Sequence, residues 1–255
     1  MKFEKAIVKK PSKKMVNGIS TADLGKPDYR TALKQHKNYI KTLKECGVEI
    51  EVLKADENYP DSMFVEDPAV VTDEFAIITN LGAESRKGEE KEIKSVLKKY
   101  YSKNIHEIKY PGTLEGGDVM QVEDHFYIGV SDRTNKDGAK QFINYVEKYN
   151  YKGTIVEFED ILHLKTGVAY IGDNTLIVTD TLIDKEEFED FNKIKINESE
   201  KYAANCIRIN DYVILPKGYP DTKKDLLKEG FDIKTVDVSE YKKIDGGLSC
   251  LSLRF

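Results

Sequence analysis

Four short stretches of this chain carry residues that could act on a substrate. Cys250 closes Gly246-Gly-Leu-Ser-Cys250, and His163 opens His163-Leu-Lys-Thr-Gly. Leu114-Glu115-Gly-Gly-Asp118 sets two acids around a glycine pair, and Phe64-Val-Glu66-Asp67 adds two adjacent acids. A thiolate is a strong nucleophile. An imidazole carries protons near neutral pH. A carboxylate can orient that imidazole, which is the logic of a catalytic triad. Glu66 and Asp67 have no part in such a triad. Paired carboxylates suit a cation, and a planar guanidinium can take two of their bonds at once. Each residue also has a plainer alternative. Asp67 and Asp118 could be turn residues beside Pro and Gly. Glu66 could be an exposed strand residue, His163 a hydrogen-bonded core histidine and Cys250 an inert buried thiol.

The other cysteines, Cys46 and Cys206, form no CxxC pair with it or with each other. Neither a zinc knuckle nor a disulfide framework is indicated. His36, His106 and His125 make no HxH or HxxxH pattern and read as surface or packing residues, so no metal site is expected. The chain has 255 residues, of which 40% are hydrophobic and 33% charged, enough apolar material for a full core. A net charge of −5 argues against a general nucleic-acid binder. No apolar run approaches the roughly 20 residues that span a bilayer, and the first residues lack the apolar stretch of a signal peptide. These features point to a cytoplasmic protein with reduced thiols.

The elements that must position the candidate residues are written as a repeat. Val65–Ile78, Gly116–Gly129, Lys165–Val178 and Ala204–Leu215 each read as a short apolar strand, an acidic or Asn turn and a second apolar strand. Asp and Asn tolerate the left-handed conformations of tight hairpins. Helix-like spacing follows each hairpin, at Ile93, Val96, Leu97 and Tyr100, at Phe142, Ile143 and Val146, and at Phe188 and Phe191. A shorter stretch with Leu226 and Leu227 ends at Gly230. Further strands are expected over Ile105–Tyr110, Gly153–Phe158 and Phe231–Val238. The hairpins recur at intervals of about 40 to 50 residues, so five units fill the chain. The fifth unit is divided between the ends. Ser249–Phe255 would supply its first strand and Phe3–Lys9 its second, followed by a helix over Asp28–Cys46 and a strand over Val48–Leu53. A ring closed by its two ends would leave no exposed sheet edge. Its centre would collect the hairpin starts, where the acids, the His and the Cys all lie.

These segments resemble the dimethylarginine dimethylaminohydrolases of the guanidine-modifying, or amidinotransferase (pentein), superfamily. The resemblance rests on Asp61-Ser-Met-Phe-Val-Glu-Asp-Pro-Ala-Val-Val, Ser85-Arg-Lys-Gly-Glu, Leu114-Glu-Gly-Gly-Asp and Gly129-Val-Ser-Asp-Arg-Thr-Asn135. It continues through His163-Leu-Lys-Thr-Gly-Val, Ala203-Ala-Asn-Cys-Ile-Arg and Gly246-Gly-Leu-Ser-Cys-Leu-Ser-Leu-Arg-Phe255. Together these cover nearly the whole chain. The resemblance implies an α/β fold, a five-bladed pseudo-five-fold α/β propeller of ββαβ repeats, as one catalytic domain over residues 1–255. It implies Cys250 as nucleophile, His163 as general acid and base, and Glu115 as the carboxylate supporting the His. Glu66 and Asp67 would be the pocket acids, with Asp67 nearest the guanidinium. Arg86 and Arg133 would hold a substrate α-carboxylate and Asp61 would lie near the α-amine. Ile19 would be a lid residue and Ile244 a backbone contact to the amine, with Phe64 among the substrate-binding residues. No metal or organic cofactor is implied. The partner would be a small guanidine, with no nucleic acid and no membrane, and a homodimer is the candidate assembly.

The implied reaction is attack of Cys250 on the guanidinium carbon, protonation of the leaving amine by His163, and hydrolysis of the resulting S-alkylthiouronium. Dimethylarginine would give citrulline and dimethylamine. Deiminases of the superfamily usually carry an acid two residues after the His, where this chain has Lys165. One clamping carboxylate fewer would admit a methylated nitrogen. Arg86 and Arg133 speak against agmatine, which has no carboxylate. Unmethylated arginine, another ω-substituted guanidine, or transfer of the amidino group to an amine remain as alternatives.

Overall fold

The computed structural model describes residues 2–255. In chain order the elements are β1 (Lys5–Lys9), α1 (Tyr29–Glu45), β2 (Glu49–Leu53), β3 (Ala69–Val71), β4 (Ala76–Ile78), α2 (Glu90–Tyr101) and β5 (Ile105–Glu107). Next come β6 (Val119–Val122), β7 (His125–Val130), α3 (Lys136–Val146), β8 (Lys152–Glu157), α4 (Leu164–Gly167), β9 (Val168–Gly172), β10 (Thr175–Val178) and β11 (Asn192–Lys195). The last are β12 (Ile207–Ile209), β13 (Tyr212–Pro216), α5 (Pro220–Lys228), β14 (Asp232–Val236), α6 (Ser239–Lys242) and β15 (Leu253–Arg254).

The strands form five three-stranded sheets with one shared plan. In each, an antiparallel hairpin is extended by a parallel third strand: β3-β4-β5, β6-β7-β8, β9-β10-β11, β12-β13-β14 and β15-β1-β2. The parallel step needs a crossover, which explains why an α-helix stands between the second and third strands of four sheets and a 3-10 turn between β10 and β11. The hairpin turns take the left-handed residues their tightness requires, at Glu123, at Asp173 with Asn174, and at Asn210.

Three expectations change, the first being that the strand expected over Ile105–Tyr110 ends at Glu107. The spacing of Phe188 and Phe191 does not become an α-helix. The segment forms a 3-10 turn, Glu186–Phe188. Two aromatics three residues apart fit a period of three as well as one of 3.6. The last hairpin strand is also shorter than Ser249–Phe255, because Ser249–Leu251 is a 3-10 turn and only Leu253–Arg254 pairs with β1.

The residues separate into two compact units. The first, Met1–Val65 with Asn205–Phe255, holds the sheets β15-β1-β2 and β12-β13-β14. Its long helix α1 is capped by Asp28, whose side chain accepts from Thr31 N at 2.7 Å, a contribution of about 1 kcal/mol. The helix buries Ala32, Gln35, His36, Tyr39 and Leu43, the i, i+3, i+4 stripe of an amphipathic helix. It stops at Cys46, where Gly47 takes a φ of +87° that L residues avoid. The second unit, Glu66–Ala204, holds the other three sheets around two apolar clusters. One gathers Phe75, Ile77, Phe126 and Phe142, and the other Val156, Leu164, Leu176 and Phe188. Among the described residues no helix is long and apolar enough to cross a membrane.

Candidate active site

Short helical turns precede the first strands of four repeats: Gly116–Asp118, Leu164–Gly167, Glu198–Ala204 and Ser249–Leu251. Three of the candidate residues sit on or beside these turns. Glu115 comes immediately before the first, His163 immediately before the second, and Cys250 lies inside the last.

In the second unit His163 Nε2 lies 2.9 Å from Glu115 Oε2, and both residues are buried. Glu115 is fixed in turn by Ala83, whose backbone N–H donates to Oε1 at 3.0 Å. Burial works against a charged carboxyl, but the bond and charge of His163 outweigh it and hold Glu115 down at about 2. Burial likewise opposes the imidazolium, but Asp118, the Glu115 bond and Asp67 together push His163 up to about 9. The shifts favour an imidazolium paired with a carboxylate, a pair that holds a proton near neutral pH. The glycine pair makes the packing feasible. A Cβ on Gly117 would stand 2.7 Å from His163 Nδ1, and one on Gly116 would stand 2.0 Å from the carbonyl oxygen of Glu66.

Glu66 and Asp67 are both engaged. Asp67 Oδ2 meets Arg86 Nη1 at 2.5 Å, and its Oδ1 accepts from Gly117 N at 3.0 Å. Arg86 Nη2 also donates to Glu89 Oε2 at 2.8 Å. Burial works against the Arg86 charge, but Glu89 and Asp67 overcome it, so the guanidinium is held more firmly protonated than usual. Arg86 was expected to meet a substrate carboxylate; here its guanidinium lies between two acids of its own chain. Arg133 is half-buried, with its backbone N–H donating to Ser131 Oγ at 3.0 Å. Lys165 does not point to solvent. Its Nζ lies 2.6 Å from Glu66 Oε1, with the two side chains 15% and 5% exposed. Asp67, Glu115 and His163 each bring one ligand atom within 4.8 Å of the others, a spacing that could hold a cation. Arg86 on Asp67 and the bond between Glu115 and His163 already satisfy this cluster.

In the first unit Cys250 is 9% exposed on a turn pinned from several sides. Asn205 Oδ1 accepts from Ser249 N at 2.9 Å and its Nδ2 donates to Ser249 Oγ at 3.0 Å. Tyr39 Oη donates to Leu248 O at 3.0 Å. Arg254 donates to the carbonyls of Ser249 and Ser252. Burial pushes Cys206 up to about 12 and raises Cys46 as well. Asp61 is buried and accepts from Ile19 N at 3.1 Å. Phe64 packs edge-on against Tyr241, with ring centroids 6.3 Å apart. Ile244 is buried, and the next residue, Asp245, ties down the chain after Ile19 by accepting from Thr21 N and Ala22 N at 2.5 and 3.1 Å.

The sequence reading missed Glu89, Asn205, Asp245 and the pairing of Lys165. For Asn205 a signal existed, since it lies in the Ala203-Ala-Asn-Cys motif. The others depend on contacts that no local pattern carries.

A family model described as "N,N dimethylarginine dimethylhydrolase, eukaryotic" matches residues 22–252. The chain is 49% identical to the N(G),N(G)-dimethylarginine dimethylaminohydrolase of Pseudomonas aeruginosa over 253 residues, 99% of this chain and 100% of that one. Among solved structures it is similar to a cysteine-to-serine variant of the Pseudomonas aeruginosa enzyme complexed with citrulline, with a TM-score of 0.98, 49% identity and both chains covered in full. A histidine-to-glycine variant of a dimethylarginine dimethylaminohydrolase, as an adduct with S-methyl-L-thiocitrulline, is similar with a TM-score of 0.97 and 49% identity, over 99% of this chain and 100% of that one.

Proposed function

The chain belongs to the dimethylarginine dimethylaminohydrolase family, and from that membership we propose that it hydrolyses Nω-methylated arginine to citrulline and an alkylamine. It is a hydrolase acting on the C–N bond of a linear amidine. The observation that carries the reading is the buried His163–Glu115 pair, 2.9 Å apart and flanked by Asp67.

The roles follow from the chemistry. The guanidinium carbon is electron-poor but resonance-stabilised, so it needs both a strong nucleophile and help for the leaving group. The Cys250 thiolate adds to that carbon. His163, protonated at rest, gives its proton to the departing amine nitrogen, and the C–N bond breaks. This leaves an S-alkylthiouronium on Cys250. The now neutral imidazole takes a proton from water, the hydroxide adds to the same carbon, and the C–S bond breaks to release the thiolate and the ureido product, whose hydroxyl proton passes to solvent. Glu115 holds the ring and stabilises its charged form. Glu66 and Asp67 receive the substrate cation, and fixing it lowers the entropic barrier to attack. Asp61 and Phe64, with the backbone at Ile19 and Ile244, receive the amino-acid end. Arg86 and Arg133 receive its carboxylate, which requires Arg86 to share its guanidinium with Asp67 and Glu89.

The Lys165–Glu66 bond favours a methylated substrate over plain arginine, because a carboxylate that already holds an ammonium demands fewer N–H donors. We also read the five like-ordered sheets as one closed ring whose fifth sheet joins β15 to β1. Three buried free thiols suit a cytosolic setting.

The test is a product assay on asymmetric dimethylarginine, monomethylarginine, arginine and agmatine, with mass analysis of the Cys250 peptide after acid quench. Citrulline from the methylated substrates with a transient adduct on Cys250 is expected. A preference for arginine or agmatine, or turnover with the adduct on another residue, overturns the reading.

A further inference from the structure

Asp118 is the second acid of the Leu114-Glu-Gly-Gly-Asp motif, and it is completely buried. No step of the proposed reaction uses it. Its three bonds reach the segments that carry His163 and Glu115. Oδ1 accepts from the backbone N–H of Leu164 at 2.9 Å, the residue directly after His163. Oδ2 accepts from Ser131 Oγ and from Thr134 Oγ1, each at 2.7 Å. Thr134 Oγ1 in turn accepts from the backbone N–H of Glu115 at 3.0 Å. Ser131 Oγ accepts from the N–H groups of Arg133 and Thr134 at 3.0 and 3.2 Å.

The direction of these bonds matters. Both hydroxyl oxygens are occupied by backbone donors, so both hydroxyl protons are free to go only towards Asp118. With Leu164, three donors converge on one carboxyl group and leave no acceptor for a proton of its own. The arrangement suits an ionised carboxylate, fully buried beside the histidine turn.

We propose that Asp118 is a positioning residue for the acid–base pair: its carboxylate ties the turn that follows His163 to the segment bearing Glu115 and supplies the buried negative charge that accompanies an imidazolium. The inference rests on His163 acting as the general acid. The charged groups facing the ring are Glu115, Asp67 and Asp118, with Arg86 beside Asp67. Burial opposes the protonated ring, and among the groups that favour it Asp118 comes ahead of the Glu115 bond and of Asp67. Burial pushes the carboxyl of Asp118 above its ordinary value, and the charge of His163 with the hydroxyl and amide donors brings it only part of the way back. Each charge is thus the condition for the other.

The test reads the ring directly. Protein labelled with 15N-histidine is titrated by NMR without substrate, and the His163 signal is identified by its loss in His163→Asn. In Asp118→Asn the His163 titration is expected to fall by at least about one pH unit. Turnover near neutral pH should drop about tenfold or more, with the loss mainly in kcat. A folded Asp118→Asn whose His163 titrates within about 0.3 unit of the parent overturns the proposal. An asparagine amide must leave one donor unaccepted in this cage, so folding is checked by Tm. If Asp118→Asn does not fold, Glu115→Gln supplies the answer. With Asp118 intact its His163 should still titrate above the ordinary value of about 6.5, and a fall to that value or below overturns the proposal. Neither titration needs turnover, so failure of the substrate assay and failure of this inference are separate results.

Discussion

Replacing Lys165 by methionine removes an ammonium while keeping an unbranched chain of similar length. In the parent protein Nζ stands 2.6 Å from Glu66 Oε1, and the Glu66 side chain is 5% exposed. Breaking such a pair from one side costs about 3–5 kcal/mol when nothing replaces the lost charge. An unmethylated guanidinium can replace it, because the nitrogen edge facing Glu66 carries N–H donors. A dimethylated nitrogen has none. The two substrates therefore differ by about one charged hydrogen bond, worth about 1.5–3 kcal/mol. At 1.4 kcal/mol per decade, this raises the arginine:dimethylarginine ratio of kcat/KM about 10- to 100-fold. Citrulline formation from both substrates on one preparation gives that ratio, and Lys165→Arg, which keeps the charge, should leave it unchanged. A ratio within about threefold of the parent in a folded Lys165→Met protein would refute the reasoning, because Glu66 would then not be reading the guanidinium edge.

Cys250→Ser should abolish turnover while the protein keeps its Tm, since a hydroxyl lacks the nucleophilicity of a thiolate; near-normal activity would remove the assignment. Haloacetamide should label Cys250 well before Cys46 and Cys206, whose thiols burial pushes up, and equal rates at all three in folded protein would argue against a special thiol. His36 is held down at about 4 by burial, against the pull of its bond to the Lys9 backbone. Its contribution to stability is complete above the unfolded value of about 6.5 and is lost as pH falls through 4, at most about 3 kcal/mol. Urea midpoints between pH 7 and 4 should fall more steeply for the parent than for His36→Met, and parallel curves would contradict the burial argument.

The ββαβ plan was legible because strand and helix periodicities alternate on a fixed interval, and helix α1 was legible to within a residue because Asp28 and Gly47 mark its ends. The region around Phe188 was not, because two aromatics without further positions at i+4 and i+7 do not distinguish a 3-10 turn from a helix. Glu115, His163 and Cys250 stood out because each opens a hairpin beside unusual glycines or acids. What could not be read was who pairs with whom. Lys165 with Glu66 and Asp118 with Ser131 and Thr134 are bonds closed by tertiary packing, and a lysine on its own in sequence defaults to the surface. Arg86 shows the same limit: the resemblance implied a carboxylate receptor, and nothing in the sequence showed that its guanidinium also bonds Asp67 and Glu89.

The two glycines between Glu115 and Asp118 have a consequence for how such chains can decay. Gly116 leaves no room for a side chain against the Glu66 carbonyl, and Gly117 leaves none against the ring of His163. Any larger residue at Gly116 meets rigid backbone, so that position is tied to the fold whether or not the protein still turns over substrate. Gly117 is tied first to the ring, with Asp67 Oδ1 3.0 Å from the same Cβ position, and a smaller residue in place of His163 would relieve the closest contact. A lineage losing its chemistry would therefore drift first at Gly117, together with the residue at position 163, and keep Gly116 to the end. A relative that retains the first glycine and varies the second is a candidate for a protein that has kept the architecture and shed the reaction.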